Sequence, residues 1–138
     1  MPISLLANID VDDLARAEAF YVDALGLVRG RRFGDAGIEL LGASSPIYLL
    51  RKAAGSAAAE TTHQARDYAR HWTPVHLDFV VADLAAALKR AQAAGAVLEG
   101  EMRTARWGRI ATLADPFGHG FCLIEFLNRG YDEIATPA

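Results

Sequence analysis

Val11-Asp12-Asp13-Leu14-Ala15 and Val81-Ala82-Asp83-Leu84-Ala85 are one phrase written twice, 70 residues apart in a chain of 138. In both, an apolar run ends in Val-x-Asp-Leu-Ala, a helix-like stretch follows, and a glycine closes it at Gly26 or Gly95. Half of this chain is too short to bury much core alone, so the duplication predicts two equivalent modules packed as one domain. A shared cleft is expected where they meet.

Working outward, Ile3 to Val11 alternates Leu5, Ala7, Ile9 and Val11 with Ser4, Leu6, Asn8 and Asp10, the period of a half-buried strand. Asp12 or Asp13 then caps a helix, because a short carboxylate accepts from free first-turn N–H groups. Leu14, Ala17, Phe20 or Tyr21, and Leu25 form its apolar stripe, and Gly26 ends it. Strands follow at about 27–33, 37–41 and 46–51, joined by Gly and Ser turns. The second module repeats the order: a strand over 75–81, a helix over 84–94, and strands near 97–102, 109–113 and 121–126. Between them, the small, polar stretch from Ala53 to Thr73 reads as a mobile linker with a short helix at its alanine run. In the tail, 128–138, only Tyr131 and Ile134 are suited to packing.

The expected fold is therefore α+β: two tandem βαβββ modules, about 3–52 and 74–127, in a single domain over 1–138. They form a curved, cup-like mixed sheet with the helices outside. Period-two geometry turns Leu77, Phe79 and Val81 towards their helix and His76, Asp78 and Val80 away from it. By the 70-residue offset, Leu6, Asn8 and Asp10 are the equivalents in the first module. A sheet face carrying His, Asp and Asn either meets water plainly or curls around a ligand.

Composition bounds the rest. At 52% hydrophobic and 22% charged, with net charge −3 and no long basic run, nothing favours nucleic acid or an anionic membrane. Arg29, Arg31 and Arg32 read as a solvated strand edge. A single cysteine, Cys122, excludes an intramolecular disulfide and fits a reducing cytoplasm. The start of the chain lacks the features of a signal peptide, and no apolar run is long enough to span a membrane. A cytoplasmic protein is expected. Gly118 and Gly120 precede no helix and make no phosphate loop, and Ser44 and Ser45 lack a nucleophile-elbow context.

Three strings carry a resemblance: Asn8-Ile-Asp-Val-Asp-Asp-Leu-Ala-Arg-Ala-Glu-Ala-Phe-Tyr-Val-Asp-Ala-Leu-Gly-Leu27, His76-Leu-Asp-Phe-Val-Val-Ala-Asp-Leu84, and Ala114-Asp-Pro-Phe-Gly-His-Gly-Phe-Cys-Leu123. With the duplication, they make the chain, from about Ile3 to Phe126, resemble the vicinal oxygen chelate superfamily of glyoxalases, bleomycin-resistance proteins and extradiol dioxygenases. The resemblance implies paired βαβββ modules curving into an open cup. In the enzymes a divalent metal bound there polarises vicinal oxygens of the substrate. Its ligands come from four equivalent strand positions, usually His, Glu or Gln.

Carried over, the first-strand position of module two falls on His76, and its module-one equivalent on Leu6, which cannot ligate. The last-strand position of module two falls on Cys122, where a carboxylate is usual, and its counterpart on about Tyr48. Glu125, three residues beyond Cys122, faces the other way; Glu39 lies on a different strand and is a weak candidate. A catalytic divalent site needs about three protein ligands and an open position. Hard ions want oxygen donors, which only Asn8 or Asp78 add here. The usual metal site is therefore not expected, and no cofactor is assigned, with a divalent metal as the alternative. His76 is the one good metal candidate.

His76 is also the candidate base or ligand-binding residue. Asp78 and Asn8 either orient polar ligand groups or are plain solvated side chains. Cys122 is a ligand-lining candidate whose bland reading is an inert buried thiol. Tyr48 and Trp107 are pocket walls or ordinary half-buried aromatics. His119, Asp115 and Pro116 shape a turn. His63 and His71 read as solvent residues, although Tyr68, His71 and Trp72 run straight into the strand bearing His76 and could form a lid.

Three functions follow: a metal-free cup that binds a small, partly hydrophobic or aromatic molecule, as bleomycin-resistance-type members do; a metal-dependent lyase, isomerase or dioxygenase of the glyoxalase type; or a non-catalytic assembly or regulatory domain. The first is favoured by Leu6 and Tyr48. The resemblance also implies a homodimer, because family members often complete their cups with a second chain. Lactoylglutathione lyase activity would be inheritance, and the ligand positions argue against it.

Overall fold

Asp13 and Asp83 start the two helices in the same way. Each aspartate has an extended backbone, and its carboxylate accepts from the N–H three residues on, Arg16 at 3.0 Å and Ala86 at 3.1 Å. Gly26 and Gly95 end them in left-handed conformations, at φ of 70° and 117°. There a side chain would be strained and glycine is not. The computed structural model describes residues 2–138 and divides into two compact units, one ending at Ala69 and the other beginning at Arg70.

The first unit runs β1 (Ala7–Val11), α1 (Leu14–Leu25), β2 (Val28–Phe33), β3 (Gly37–Leu41) and β4 (Ile47–Arg51). Its sheet order is β1-β4-β3-β2, with β1 parallel to β4 and the remaining pairs antiparallel. Leu14, Ala17, Phe20, Tyr21 and Ala24 are the buried stripe of α1. They meet the sheet rows Ile9–Leu49–Ile38 and Ala7–Ile47–Leu40, whose β3 and β4 members are almost wholly buried. Between Arg29 and Arg32 the β2–β3 register slips, leaving Gly30 and Arg31 as a bulge opposite Glu39.

The second unit runs β5 (Leu77–Val80), α2 (Leu84–Ala94), β6 (Val97–Leu98), β7 (Arg103–Thr104), β8 (Gly108–Ala114) and β9 (Gly120–Phe126). The order is β5-β9-β8-β6, with β7 also paired to β8 and β5 parallel to β9. Leu84, Ala91, Leu113, Phe121 and Leu123 make the helix-side core. Both sheets are mixed and open, so the fold is α+β in two βαβββ-like repeats.

Three local expectations are corrected. The strand expected over 97–102 is two short pieces, because Gly100 at φ 73° turns the chain between them. The first strand of each module starts later than alternation suggests, and Leu5 and Leu6 lie exposed before β1. No helix forms at the alanine run. Ala57 bridges Ala65 instead, and the Arg66 guanidinium holds the loop by reaching Asp10 at 2.7 Å and the Ala57 and Ala58 carbonyls. The 3-10 helix Gly130–Glu133 sets Tyr131 against Trp107 and Phe126, at ring-centre distances of 5.0 and 4.8 Å. Ile134 is exposed. No helix of the described residues is long and apolar enough to cross a membrane.

Candidate functional site

Strand pairing puts one polar row at the same place in each sheet. In the first unit the row is Asn8–Tyr48–Glu39; in the second it is Asp78–Cys122–Thr112. Both lie on the face turned away from the helix, since the rows on either side of them carry the helix-side core. They differ in what they leave available.

The first unit's row is closed by a network. Glu39, buried within its sheet, accepts from the Arg31 backbone N–H at 3.0 Å and from Arg31 Nη2 at 2.7 Å. The Tyr48 hydroxyl donates to Glu39 Oε2 at 2.8 Å and accepts from Arg31 Nη2 at 3.2 Å. The Arg31 hydrogen bonds, with the Tyr48 hydroxyl adding to them, pull the Glu39 carboxyl down to about 2, and raise the Arg31 guanidinium in turn. Gly30 is required here, because a Cβ would sit 2.5 Å from Glu39 Oε1. Arg31 also lies over the Phe33 ring, 5.6 Å from its centre. Asn8 remains exposed beside Tyr48, and Leu6, also exposed, offers no donor atom.

The second unit's row is open. His76 Nε2 stands 3.2 Å from Asp78 Oδ1, with side chains 38% and 37% exposed. Cys122, the ladder partner of Asp78, is buried, with its Sγ 3.7 Å from Thr112 Oγ1. One donor atom each from His76, Asp78 and Cys122 lies within 4.8 Å of the others. Burial, more than the nearby Asp78 charge, pushes the Cys122 thiol up. Without a metal it is therefore a thiol at neutral pH and no nucleophile.

Trp72 walls this row. Its ring stands edge-on to His76 at 5.8 Å. Arg70 lies over it at 4.6 Å, and the indole N–H donates to Glu99 Oε1 at 3.2 Å. Arg70 also pairs with Glu99, which lowers the Glu99 carboxyl and raises the Arg70 guanidinium. The ring rests directly on Gly120, where a Cβ would lie 2.6 Å from it. Beside it, His71 forms a parallel bridge with His119, their ring nitrogens 3.2 Å apart. Asp115 accepts from the Phe117 and His119 N–H groups at 2.8 and 2.9 Å, which folds the Asp-Pro-Phe-Gly-His-Gly turn. The Tyr68 hydroxyl donates to the Lys52 carbonyl at 2.7 Å.

The structure thus brings together His76, Asp78 and Cys122, and separately Asn8 and Tyr48. Trp107 is with neither group; it belongs to the ring cluster with Phe126 and Tyr131. Glu125 reaches α2, accepting from the Leu84 N–H at 2.8 Å. Sequence reasoning passes over Thr112, Arg70 and Glu99, and it reads Arg31 only as a solvated strand edge and Trp72 only as part of a lid. None carries a local motif. Their roles come from a bulge and from strand register.

The family model described as a glyoxalase-like domain matches residues 7–124. The chain belongs to that family. Among curated proteins, no sequence match is found. Solved structures share the fold of this glyoxalase-like chain. A mutant of the fosfomycin resistance protein FosX from Listeria monocytogenes, complexed with Mn(II) and 1S,2S-dihydroxypropylphosphonic acid, is 18% identical. It has a TM-score of 0.72, with 97% of this chain and 98% of that one covered. A hypothetical protein from S. aureus is 20% identical, at TM-score 0.70 and coverages of 91% and 95%. Lactoylglutathione lyase from Agrobacterium tumefaciens is 19% identical, at TM-score 0.63 and the same coverages. Leu6 has no donor atom, and the Tyr48 hydroxyl is engaged with Glu39 and Arg31.

Proposed function

We propose that this glyoxalase-like protein binds a small, partly aromatic or hydrophobic molecule without the usual four-position metal site. The binding surface is the helix-free face of the second unit. His76 and Asp78 meet the polar groups of the ligand, and the Trp72 ring stacks on its apolar part. The observation that carries this reading is the half-exposed His76–Asp78 pair, 3.2 Å apart, beside an aromatic ring held in place from behind. Pairing of two chains into a homodimer belongs to the same reading, and gel filtration tests it.

A second reading is a glyoxalase-type lyase or isomerase. It is favoured by the same pair, because a carboxylate at that distance can orient an imidazole that takes or gives a proton.

The test is a thermal-shift screen of the chelator-treated protein against small aromatic compounds and antibiotics. The expected result is one or more compounds that raise Tm in the parent and fail to do so in His76→Ala and Trp72→Ala. Shifts of equal size in both variants, or none in the parent, would overturn the assignment of this face.

A further inference from the structure

We infer that the second unit carries a site for one divalent ion of the imidazole-binding class, Zn²⁺, Ni²⁺ or Cu²⁺, between His71 Nε2 and His119 Nδ1. Neither residue is a family ligand position, and neither belongs to the row Asp78–Cys122–Thr112. They lie 48 residues apart in the chain, yet two of its four histidines meet here with ring nitrogens 3.2 Å apart.

The backbone fixes both partners. His71 donates its N–H to the Gly118 carbonyl at 3.0 Å and forms a parallel bridge with His119. The Asp115 N–H donates to the His119 carbonyl at 2.8 Å, while the Asp115 carboxylate accepts from the His119 N–H at 2.9 Å. Both histidines are half-buried, and their rings stand edge to face at 89° with centres 5.0 Å apart.

The spacing suits an ion. With metal–nitrogen bonds of about 2.0–2.1 Å, nitrogens 3.2 Å apart subtend about 100–106° at the metal, near the tetrahedral angle. Without an ion the same contact is an N–H···N hydrogen bond. Passing from one to the other tilts each nitrogen by about 40° from the line joining them, which the broad χ2 well of histidine accommodates. Two neutral imidazoles suit zinc, nickel and copper, whereas Mg²⁺ and Ca²⁺ require oxygen. Each ring keeps one N–H, on His71 Nδ1 and His119 Nε2, so the proton between them moves within one ring and a neutral pair releases none. Arg70, which donates to the His71 and Gly118 carbonyls, is paired with Glu99, and the buried Asp115 carboxylate adds negative charge to the turn. Trp72 follows His71 and rests on Gly120, which follows His119, so the ion would clasp the aromatic wall to the turn before β9.

This site uses none of His76, Asp78 and Cys122, so its test is the metal alone. The untagged full chain, ¹⁵N-labelled and stripped with chelator, is titrated with Zn²⁺ at neutral pH. Histidine ring nitrogens are followed by long-range ¹H–¹⁵N correlation. His71 Nε2 and His119 Nδ1 should shift in step and saturate at one equivalent, with excess Mg²⁺ producing neither shift. His71→Gln should abolish the shift at His119, and His119→Gln the shift at His71. No shift at these two nitrogens, a response confined to His76, or a shift at either ring that survives loss of the other would each overturn the inference. If a variant does not fold, the parent spectrum still decides, because it names the ligating nitrogens. A thermal-shift hit in metal-free protein without these nitrogen shifts would sink the ion and leave the ligand surface standing.

Discussion

Gly120→Ala should release Trp72 from its place beside His76. The backbone at Gly120 is ordinary strand, so alanine is permitted there, but its Cβ would meet three ring atoms of Trp72 at 2.6–2.7 Å. The contact is with the body of the indole, so small shifts do not relieve it. Trp72 is 44% exposed and can swing outward. Doing so forfeits the Arg70 stacking, worth about 0.5–1 kcal/mol at an exposed site. It also forfeits the indole hydrogen bond to Glu99, worth about 1 kcal/mol. The lower entropy of the unfolded alanine chain offsets about 0.4–1 kcal/mol of this. The net loss is about 1 kcal/mol, a fall in Tm on the order of 3–6 °C. The chain has two tryptophans, so a Trp107→Phe background leaves Trp72 as the only tryptophan, which is excited selectively at the red edge of the absorption band. In that background Gly120→Ala should lower Tm and shift the Trp72 emission to the red. Unchanged Tm and emission would refute the packing of Trp72 on Gly120 and, with it, the aromatic wall of the site.

Two further outcomes rest on single contacts. The Glu39 carboxyl is held at about 2 against an ordinary 4.5, so its contribution is complete above about pH 4.5 and is lost as pH falls through about 2. The urea midpoint of the parent should therefore fall more steeply across that window than that of Glu39→Gln, and parallel curves would contradict the network. Glu125→Ala removes the carboxylate from the first turn of α2 and should cost about 1–2 kcal/mol in urea unfolding, with Glu125→Gln costing less; equal losses would mean that charge has no part.

Much of the architecture is legible from local rules. The caps at Asp13 and Asp83, the closing glycines, and the apolar stripe of α1 are properties of consecutive residues, and they announce both helices and the duplication. Alternation along β5 correctly turned Asp78 away from the helix side, and the three-residue offset from Cys122 placed Glu125 on the opposite face, where it meets α2. The alanine run misled because alanine favours helix only where nothing competes, and here Arg66 holds those carbonyls in a loop.

The sequence by itself determined the repeat, the element order and the family, because these depend on short-range periodicity and capping chemistry. It also determined which residue types stand at the family positions. Tertiary structure alone decided what those residues do. Register made Cys122 the neighbour of Asp78, and a bulge brought Arg31 onto Glu39 and Tyr48. One polar row was closed by that network and its equivalent left open at His76 and Asp78. Pairing between strands distant in the chain is set by the whole packed sheet, and no local pattern encodes it.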